Sequence, residues 1–238
     1  MAVRFYCPTL AGPMARLDET ESHHALHVLR LKVGDDVELF DGLGASASAS
    51  VADVTRTSVG LTVGTLRPAA PQQRPQLIVA AAPPRGDRLK SMVEKLTELG
   101  VDEFIPLRTV RSVIDPRQSR LEKLRGTVIA AMKQSGRNRL MKVHETTEFS
   151  VVLRKASVAN QLIYIAHPGD AGDEFSTEKG NDNVLLIGPE GGFTREEVLQ
   201  ATDYAATRLS WPEGILRIET ATVVFASLLM SQLHIAGR

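Results

Sequence analysis

The sequence predicts an α/β protein with a mostly parallel sheet, preceded by a small β domain. From residue 77 onward, strand-length apolar segments alternate with helix-length amphipathic segments, a pattern typical of parallel sheets covered by helices. Residues 1–70 instead contain short alternating segments separated by turn residues. Between them, Arg67–Pro75 contains three prolines in nine residues. We therefore predict a β domain at 1–70, a linker at 71–76 and an α/β domain at 77–238.

Composition narrows the class of protein. With 43% hydrophobic and 24% charged residues in 238, the chain is typical of globular proteins. The single cysteine, Cys7, excludes a disulfide framework and a thiolate metal site. His23, His24 and His27 have no carboxylate or cysteine partners at suitable spacing, so we expect no metal. Without a signal segment or a membrane-length apolar stretch, we expect a cytoplasmic protein with no membrane partner.

Charge is distributed unevenly although the chain is neutral overall. Between Arg108 and Lys142 there are ten lysines and arginines but two acidic residues, a net charge of +8. The remainder must therefore carry −8. Such asymmetry is expected of a surface that binds a polyanion. A solvated helix surface would give the same pattern, so the charge run alone does not identify a partner.

The predicted elements follow from local patterns. In the β domain we expect strands at 4–7, 36–41, 46–55 and 58–66, and a helical segment near 22–29 capped by Ser22. In the α/β domain the predicted strands are 77–82, 103–107, 161–166, 184–187 and 207–210. The predicted helices are 86–99, 120–134, 149–156, 194–206 and 218–235, with an acidic loop at 170–183.

A glycine-rich turn, Gly188-Pro-Glu-Gly-Gly192, joins an apolar strand to a helix. Thr194 and Glu197 are spaced as a capping box that begins that helix. Loops at the carboxyl ends of parallel strands commonly hold ligands, and we expect 167–169, 188–192 and 211–217 to converge. The turn fits neither the dinucleotide nor the Walker pattern, which disfavours a phosphate cradle and a hydride-transfer cofactor. A tight strand–helix connection would also use these glycines.

The last predicted helix begins near two charged residues. Glu219 in its first turn suits the positive end of the helix dipole. Arg217 has no comparable structural reason, so it is a candidate to bind a phosphate or a substrate carbonyl. The helix at 218–235 is apolar on nearly all faces, which predicts burial in a core or a subunit interface.

Two motifs together resemble a known family. Ile187-Gly-Pro-Glu-Gly-Gly-Phe193 with Ile215-Leu-Arg-Ile-Glu-Thr-Ala221 is similar to the motif pair of the RsmE family. These are 16S ribosomal RNA uridine-N3 methyltransferases of the SPOUT (trefoil-knot) superfamily. Further similarity lies, in the right order along nearly the whole chain, at Glu94–Val101, Gln134–Arg139, His27–Leu31 and Leu39–Gly42.

The resemblance implies an N-terminal PUA-like β-barrel that helps bind RNA and a C-terminal SPOUT knotted domain that binds S-adenosylmethionine (SAM). It also implies 16S rRNA of the small ribosomal subunit as partner, and a homodimer whose interface includes the last helix. SAM would lie against the backbone of three knot loops, where glycines permit close approach. Carried over, the cofactor-binding residues are Ala166, His167, Pro168, Ile187, Gly188, Pro189, Glu190, Gly191, Gly192, Leu209, Ser210, Trp211, Ile215 and Leu216.

One segment departs from the family pattern. Members usually have Leu-Gly-x-Arg before the second motif, whereas this chain has Trp211-Pro-Glu-Gly214. The usual glycine is Pro212 and the usual arginine is Gly214, while Arg217 is retained. Loop geometry beside the cofactor is therefore expected to differ.

The reaction implied by the family suggests roles for charged residues. Glu190 is the first candidate for the base that removes the N3 proton, and Glu219 is the second. Arg217 would stabilise negative charge on the uracil carbonyls or hold a flanking phosphate. The candidates for RNA contacts are Arg4, Arg30, Arg137 and Arg139.

Two alternatives remain open at this point. A SPOUT methyltransferase acting on another RNA or another atom would use the same glycine loop. A non-catalytic RNA-binding protein with a degenerate knot would explain the departure at 211–214. Stoichiometric SAM binding distinguishes the second alternative, because a degenerate knot should not retain it.

Overall fold

The computed structural model describes residues 3–114, 118–168 and 180–236. The chain divides into two compact units, one comprising Met1–Pro71 with Ile129–Leu140 and the other Gln72–Val128 with Met141–Arg238. Residues 129–140 therefore group with the first unit, although the sequence analysis assigned them to the α/β domain. Of the predicted acidic loop at 170–183, residues 170–179 lie outside the described part of the chain.

The first unit is built on a five-stranded sheet with the order β1-β3-β4-β5-β2. Its strands are β1 (Val3–Tyr6), β2 (Met14–Arg16), β3 (Asp36–Phe40), β4 (Ser46–Val54) and β5 (Val59–Arg67). The β1–β3 pair is parallel and the other pairs are antiparallel. The fully buried side chains of Phe5, Leu39 and Leu61 form the centre of its core. The predicted strands of the β domain are thus present, and the three-residue β2 was missed.

The helical segment of the first unit begins earlier than predicted. Helix α1 (Glu19–His23) is capped by Asp18, whose side chain accepts a hydrogen bond from the Glu21 backbone nitrogen at 2.7 Å. A π-helical turn, His24–Val28, continues from it. The predicted cap at Ser22 is wrong: Ser22 is fully buried, and its hydroxyl donates to the Leu17 carbonyl at 3.1 Å.

The second unit is the predicted α/β fold with a parallel sheet. Its seven strands follow the order β12-β10-β11-β6-β7-β8, with β9 beside β7. They are β6 (Leu77–Ala81), β7 (Glu103–Arg108), β8 (Lys142–Val143), β9 (Thr147–Glu148), β10 (Leu162–Ala166), β11 (Asn183–Ile187) and β12 (Thr207–Leu209). The helices are α2 (Arg88–Leu99), α3 (Gln118–Ser135), α4 (Phe149–Val158), α5 (Arg195–Asp203) and α6 (Ile218–Ala236). Helix α3 ends within the stretch that groups with the first unit.

Strand register brings three loops to one edge of this sheet. Ala166 at the end of β10 is paired with Ile187 at the end of β11 and with Leu209 at the end of β12. Because all three strands run parallel, the loops that follow them start side by side. Strand β11 is buried along its whole length between β10 and β6, which explains its continuous apolar sequence.

Helix α6 packs against α2 and against strands β6 and β11. Phe225, Leu229 and Leu233 are buried, whereas Leu228 and Ile235 are 39% and 73% exposed. By length and composition the helix could cross a membrane, but core helices of soluble proteins meet the same criterion. The sequence predicted a helix buried in a core or a subunit interface. In the single chain, α6 is buried on one side and exposed at Leu228 and Ile235.

Candidate cofactor site

A cavity of about 350 Å³ lies at the carboxyl ends of β10, β11 and β12. Its size falls in the range of small-molecule sites, roughly 300–1,000 Å³. Every residue that the resemblance assigned to the cofactor lines it: Ala166, His167, Pro168, Ile187, Gly188, Pro189, Glu190, Gly191, Gly192, Leu209, Ser210, Trp211, Ile215 and Leu216. Arg217, the candidate catalytic arginine, lines it too. The three predicted loops thus form one site.

The lining also includes residues that the resemblance did not assign to the cofactor. They are Phe193, Gly214, Ile218, Ala221 and Phe225. Ile218, Ala221 and Phe225 lie on one face of the first two turns of α6, at spacings of three and four. Ala221 and Phe225 follow Arg217 at spacings of four residues. If Arg217 is assigned to the site, helical periodicity therefore predicts that this face of α6 forms a wall of the cavity.

The glycine loop is a tight turn with little space inside it. The Gly192 nitrogen donates to the Pro189 carbonyl at 2.8 Å, and Gly192 has a φ of +67°. A Cβ atom at Gly188 would lie 3.1 Å from the ring of Phe193. Phe193 is in turn buried against Phe149, with ring centroids 5.3 Å apart. Alanine at 192 would therefore be strained by the positive φ, and alanine at 188 would force Phe193 to shift by a few tenths of an ångström.

The predicted capping box fixes the far end of this loop. The Thr194 hydroxyl accepts a hydrogen bond from the Glu197 nitrogen at 3.2 Å, and the Glu197 carboxylate accepts one from the Thr194 nitrogen at 2.8 Å. Helix α5 therefore begins at a defined point immediately after the cavity wall.

The third loop contains the departure from the family pattern. Gly214 has a φ of +120° and nothing lies within 4 Å of a Cβ placed there. An arginine at this position would be strained by the backbone rather than by lack of space. Trp211 and Ile215 line the cavity while 38% and 84% exposed, so they form its open rim. Gly214 thus has a backbone conformation unfavourable for the arginine usual in the family, and the loop still contributes to the cavity.

The candidate catalytic residues differ in their surroundings. Glu190 lies exposed in the glycine loop and lines the cavity. Arg217 is exposed at the cavity, and no side chain within the described ranges forms an ion pair with it. Glu219 is not among the lining residues; its carboxylate lies 3.5 Å from the Arg88 guanidinium. The geometry favours Glu190 over Glu219 as the group that could reach a substrate.

The structure does not support the predicted RNA contact of Arg4. This residue is only 6% exposed, and its guanidinium donates to the Met132 carbonyl at 2.9 Å and to the side chain of Asn138. It also forms an ion pair with Glu38 at 3.3 Å and lies 4.8 Å from the ring centroid of Phe40. Arg4 therefore holds the end of α3 to the sheet of the first unit.

The other three candidate RNA-binding arginines also belong to the first unit. Arg30 is exposed and has a φ of +56° after the π-helical turn. Arg137 and Arg139 are half-buried, and Arg139 donates to the carbonyls of Leu43, at 2.9 Å, and Ala70. Arg30 is thus the most accessible of the three. Within the described residues, no group of three or more potential ligands is arranged to hold a metal ion.

Comparison with known proteins identifies both parts of the chain. A family model of an RNA methyltransferase domain matches residues 71–230, and one of an RNA methyltransferase PUA domain matches residues 17–63. Ribosomal RNA small subunit methyltransferase E of Bacillus subtilis is 27% identical over 233 residues, which are 93% of this chain and 91% of that protein. Its namesake from Mycobacterium tuberculosis is 29% identical over 237 residues, 94% and 89% of the two chains.

A solved structure supports the same assignment. It is a protein from Legionella pneumophila, described as a methyltransferase in complex with the bound cofactor SAM. It is 26% identical to this chain, covers 98% of both chains and superposes with a TM-score of 0.88. The predicted fold class, a PUA-like domain followed by an α/β methyltransferase domain of the SPOUT type, is confirmed.

Proposed function

The chain belongs to the RNA methyltransferase family, as its motifs predicted, and from this premise we propose that it transfers a methyl group from SAM to N3 of a uridine in 16S rRNA. The observation that carries the proposal is the cavity of about 350 Å³, lined by all of the residues expected to contact the cofactor. The relatives' names, ribosomal RNA small subunit methyltransferase E, support the small ribosomal subunit as the substrate.

The cavity suits a compact cofactor that presses against main chain. Its walls come mainly from glycines, prolines and apolar side chains of the three loops and of α6. Gly192 lacks a side chain where the loop faces open space, so a ligand can approach the backbone there. Trp211 and Ile215 at the rim would shield the ligand from water. When bound, SAM supplies the activated methyl group.

Methylation of uridine N3 requires that residues of this chain help to remove the N3 proton. Uridine N3 carries a proton and is a poor nucleophile until that proton leaves. Glu190 is exposed and lines the cavity, and we propose that its carboxylate accepts this proton as a general base. Alignment of N3 with the methyl group by the cavity walls would provide much of the remaining acceleration. The target base has to be unpaired or flipped to reach the cavity.

Arg217 is the proposed partner of the charge that develops on the substrate. As the proton leaves N3, negative charge spreads to the uracil carbonyl oxygens. A guanidinium that lines the cavity and has no ion-pair partner in the described ranges is available to stabilise that charge. The same group could hold a flanking phosphate, which would affect RNA binding more than the chemical step.

RNA binding is proposed for the basic residues outside the cavity. Arg30, Arg137 and Arg139 remain the candidates, with Arg30 the most exposed. Contacts from such residues to phosphates position an RNA without reading its sequence. The net charge of +8 between Arg108 and Lys142 provides the accompanying attraction.

We also propose that the protein works as a cytoplasmic homodimer. Leu228 and Ile235 are exposed apolar side chains on α6, the helix that the resemblance places at the dimer interface. Association through this face would bury them. The relatives are bacterial, and bacterial ribosomal subunits are assembled and used in the cytoplasm, which supports that location.

Nucleoside analysis of ribosomal RNA tests the proposed function. RNA of the small subunit from a strain lacking the protein is digested and compared with RNA from the complemented strain. We expect N3-methyluridine to be absent without the protein and restored by it, but not by the Glu190→Gln variant. An unchanged N3-methyluridine content would reject this substrate and favour another RNA or another atom.

A further inference from the structure

The loop after β7 reaches the glycine loop of the cavity through one arginine. The Arg111 guanidinium donates from Nη1 to the Gly191 carbonyl at 2.7 Å, and the same nitrogen lies 3.5 Å from the Phe193 carbonyl. The fit is close, because a Cβ atom at Gly191 would lie 3.3 Å from Cδ of Arg111. A charged donor on a carbonyl is among the stronger hydrogen bonds in proteins. Arg111 is thus bound to the outer side of the cavity wall.

A buried carboxylate joins the same two loops next to this contact. Glu197, only 6% exposed, accepts a hydrogen bond from the Val110 nitrogen at 2.9 Å through one oxygen. Its other oxygen accepts from the Thr194 nitrogen at 2.8 Å. Glu197 therefore does more than complete the capping box, because it also holds the residue that precedes Arg111.

The loop that carries Arg111 is itself a closed turn. The Thr109 nitrogen donates to the Ser112 hydroxyl at 2.9 Å, and the Ser112 nitrogen donates to the Thr109 carbonyl at 3.1 Å. Arg111 therefore projects from a turn that is fixed at both ends. Two separate links, one through a guanidinium and one through a carboxylate, connect this turn to the segment Gly191–Thr194.

We propose that Arg111 is a positioning residue: it holds the Gly188–Gly192 loop in the conformation that lines the cavity, and so sets the affinity for the cofactor. This role rests on the proposed function for its cofactor, SAM. The loop contains three glycines in five residues, which leave its backbone many alternative conformations. The hydrogen bond from Arg111 to the Gly191 carbonyl removes part of that freedom before the ligand binds, which is pre-organisation.

Arg111 lies in the segment Arg108–Lys142, whose net charge is +8, so an alternative role is a contact with an RNA phosphate. The two roles predict different changes. Loss of a loop anchor weakens cofactor binding and leaves the KM for RNA unchanged, whereas loss of a phosphate contact does the reverse. The Arg111→Lys variant distinguishes the two roles further. One nitrogen of Arg111, Nη1, contacts both carbonyls, and the ammonium group of a lysine can replace that nitrogen in part.

The test uses the full-length protein as Arg111→Ala and Arg111→Lys, with Arg154→Ala as the matched control. Arg154 is an exposed arginine on α4 that does not line the cavity, so its replacement by alanine removes the same charge elsewhere. Hydrogen exchange of peptides covering 188–193 is measured without ligand, and the Kd for SAM is measured by calorimetry. The KM values for SAM and for small ribosomal subunits complete the set.

We expect Arg111→Ala to speed exchange at 188–193 and to raise the Kd for SAM about tenfold, the effect of losing roughly one charge-assisted hydrogen bond. Arg111→Lys should recover part of both changes, and Arg154→Ala should match the wild type. Unchanged exchange and Kd with a raised KM for RNA would overturn the proposal in favour of a phosphate contact. A lowered melting temperature alone would overturn it in favour of a purely structural role.

The same measurements separate rejection of the proposed function from rejection of the role of Arg111. If the wild type binds no SAM, the proposed function is rejected, and exchange at 188–193 still reports whether Arg111 holds the loop. If SAM binds and Arg111→Ala leaves both exchange and affinity unchanged, the positioning role is rejected while the function stands.

Discussion

The guanidinium of Arg88, in the first turn of α2, lies 3.5 Å from the carboxylate of Glu219, in the first turn of α6. This pair links two helices that pack against each other, and one of them, α6, lines the cavity. It gives Glu219 a structural role that Glu190, exposed in the glycine loop, does not have. The two candidate bases can therefore be separated by experiment.

Replacement of each carboxylate by its amide tests the assignment of the base. Glu190→Gln should lower the single-turnover rate of methyl transfer by about 100-fold or more, the usual contribution of a general base, with little change in SAM affinity. Glu219→Gln should keep the rate within a few-fold, because its partner is Arg88. Rapid-quench measurements at saturating SAM provide both values. A wild-type rate in Glu190→Gln would show that another group removes the proton.

Arg217→Ala should reduce kcat more than it raises the KM for RNA. The reason is that charge on the uracil carbonyls develops in the transition state, where the guanidinium acts. A loss on the order of 100-fold is expected. Arg217→Lys should recover part of the lost rate, because lysine keeps the positive charge but lacks the planar guanidinium with its paired donors. An increase confined to the KM for RNA would instead assign Arg217 to a phosphate.

Two glycine-to-alanine changes should have opposite effects on stability. Gly192→Ala should lower the free energy of unfolding by about 1–2 kcal/mol, since a φ of +67° is unfavourable for alanine. Gly126→Ala, inside helix α3 with nothing near its Cβ, should raise it by about 0.5–1 kcal/mol. Urea denaturation measures both. Equal effects would mean that the turn at 192 is not held in this conformation.

A pH-dependent contribution to stability is expected from Glu103 and His144, whose side chains meet at 2.5 Å. The hydrogen bond from His144 lowers the pKa of Glu103, against the opposing effect of burial. A carboxyl group whose pKa is lower in the folded state stabilises the fold above its unfolded pKa, near 4.5. This contribution is lost as the pH falls below that value through the lower folded pKa.

The measurement is the free energy of unfolding in urea at pH 7 and pH 3.5. Glu103→Gln should show a smaller decrease between the two than the wild type. Glu145→Gln, which removes an exposed carboxylate nearby in sequence, should decrease as the wild type does. If Glu103→Gln loses stability as steeply as the wild type, the His144 contact does not hold the ionised carboxylate.

Periodicity was sufficient to predict the long elements. The buried strand β11 and the capping box of α5 followed from an apolar run and from Thr194 and Glu197. Strands β2, β8 and β9 have only two or three residues, too few to show alternation. Ser22 was misassigned as a cap because Asp18, four residues earlier, provides the same chemistry.

The site residues followed from motifs, whereas contacts between distant segments could not be predicted. Arg4 looked like a surface arginine on a strand, but the end of α3, about 130 residues away, covers it. The contact of Arg111 with Gly191 likewise joins segments 80 residues apart. Such pairs depend on how elements pack, which neither composition nor local periodicity specifies.

We propose that this chain methylates uridine N3 of 16S rRNA with SAM. The most direct test of this proposal is transfer of tritium from methyl-labelled SAM to small subunits purified from a strain lacking the protein, followed by digestion and chromatography. We expect label in N3-methyluridine with the wild type and a large loss of that label with Glu190→Gln. Label in a different nucleoside, or none despite measurable SAM binding, would contradict it.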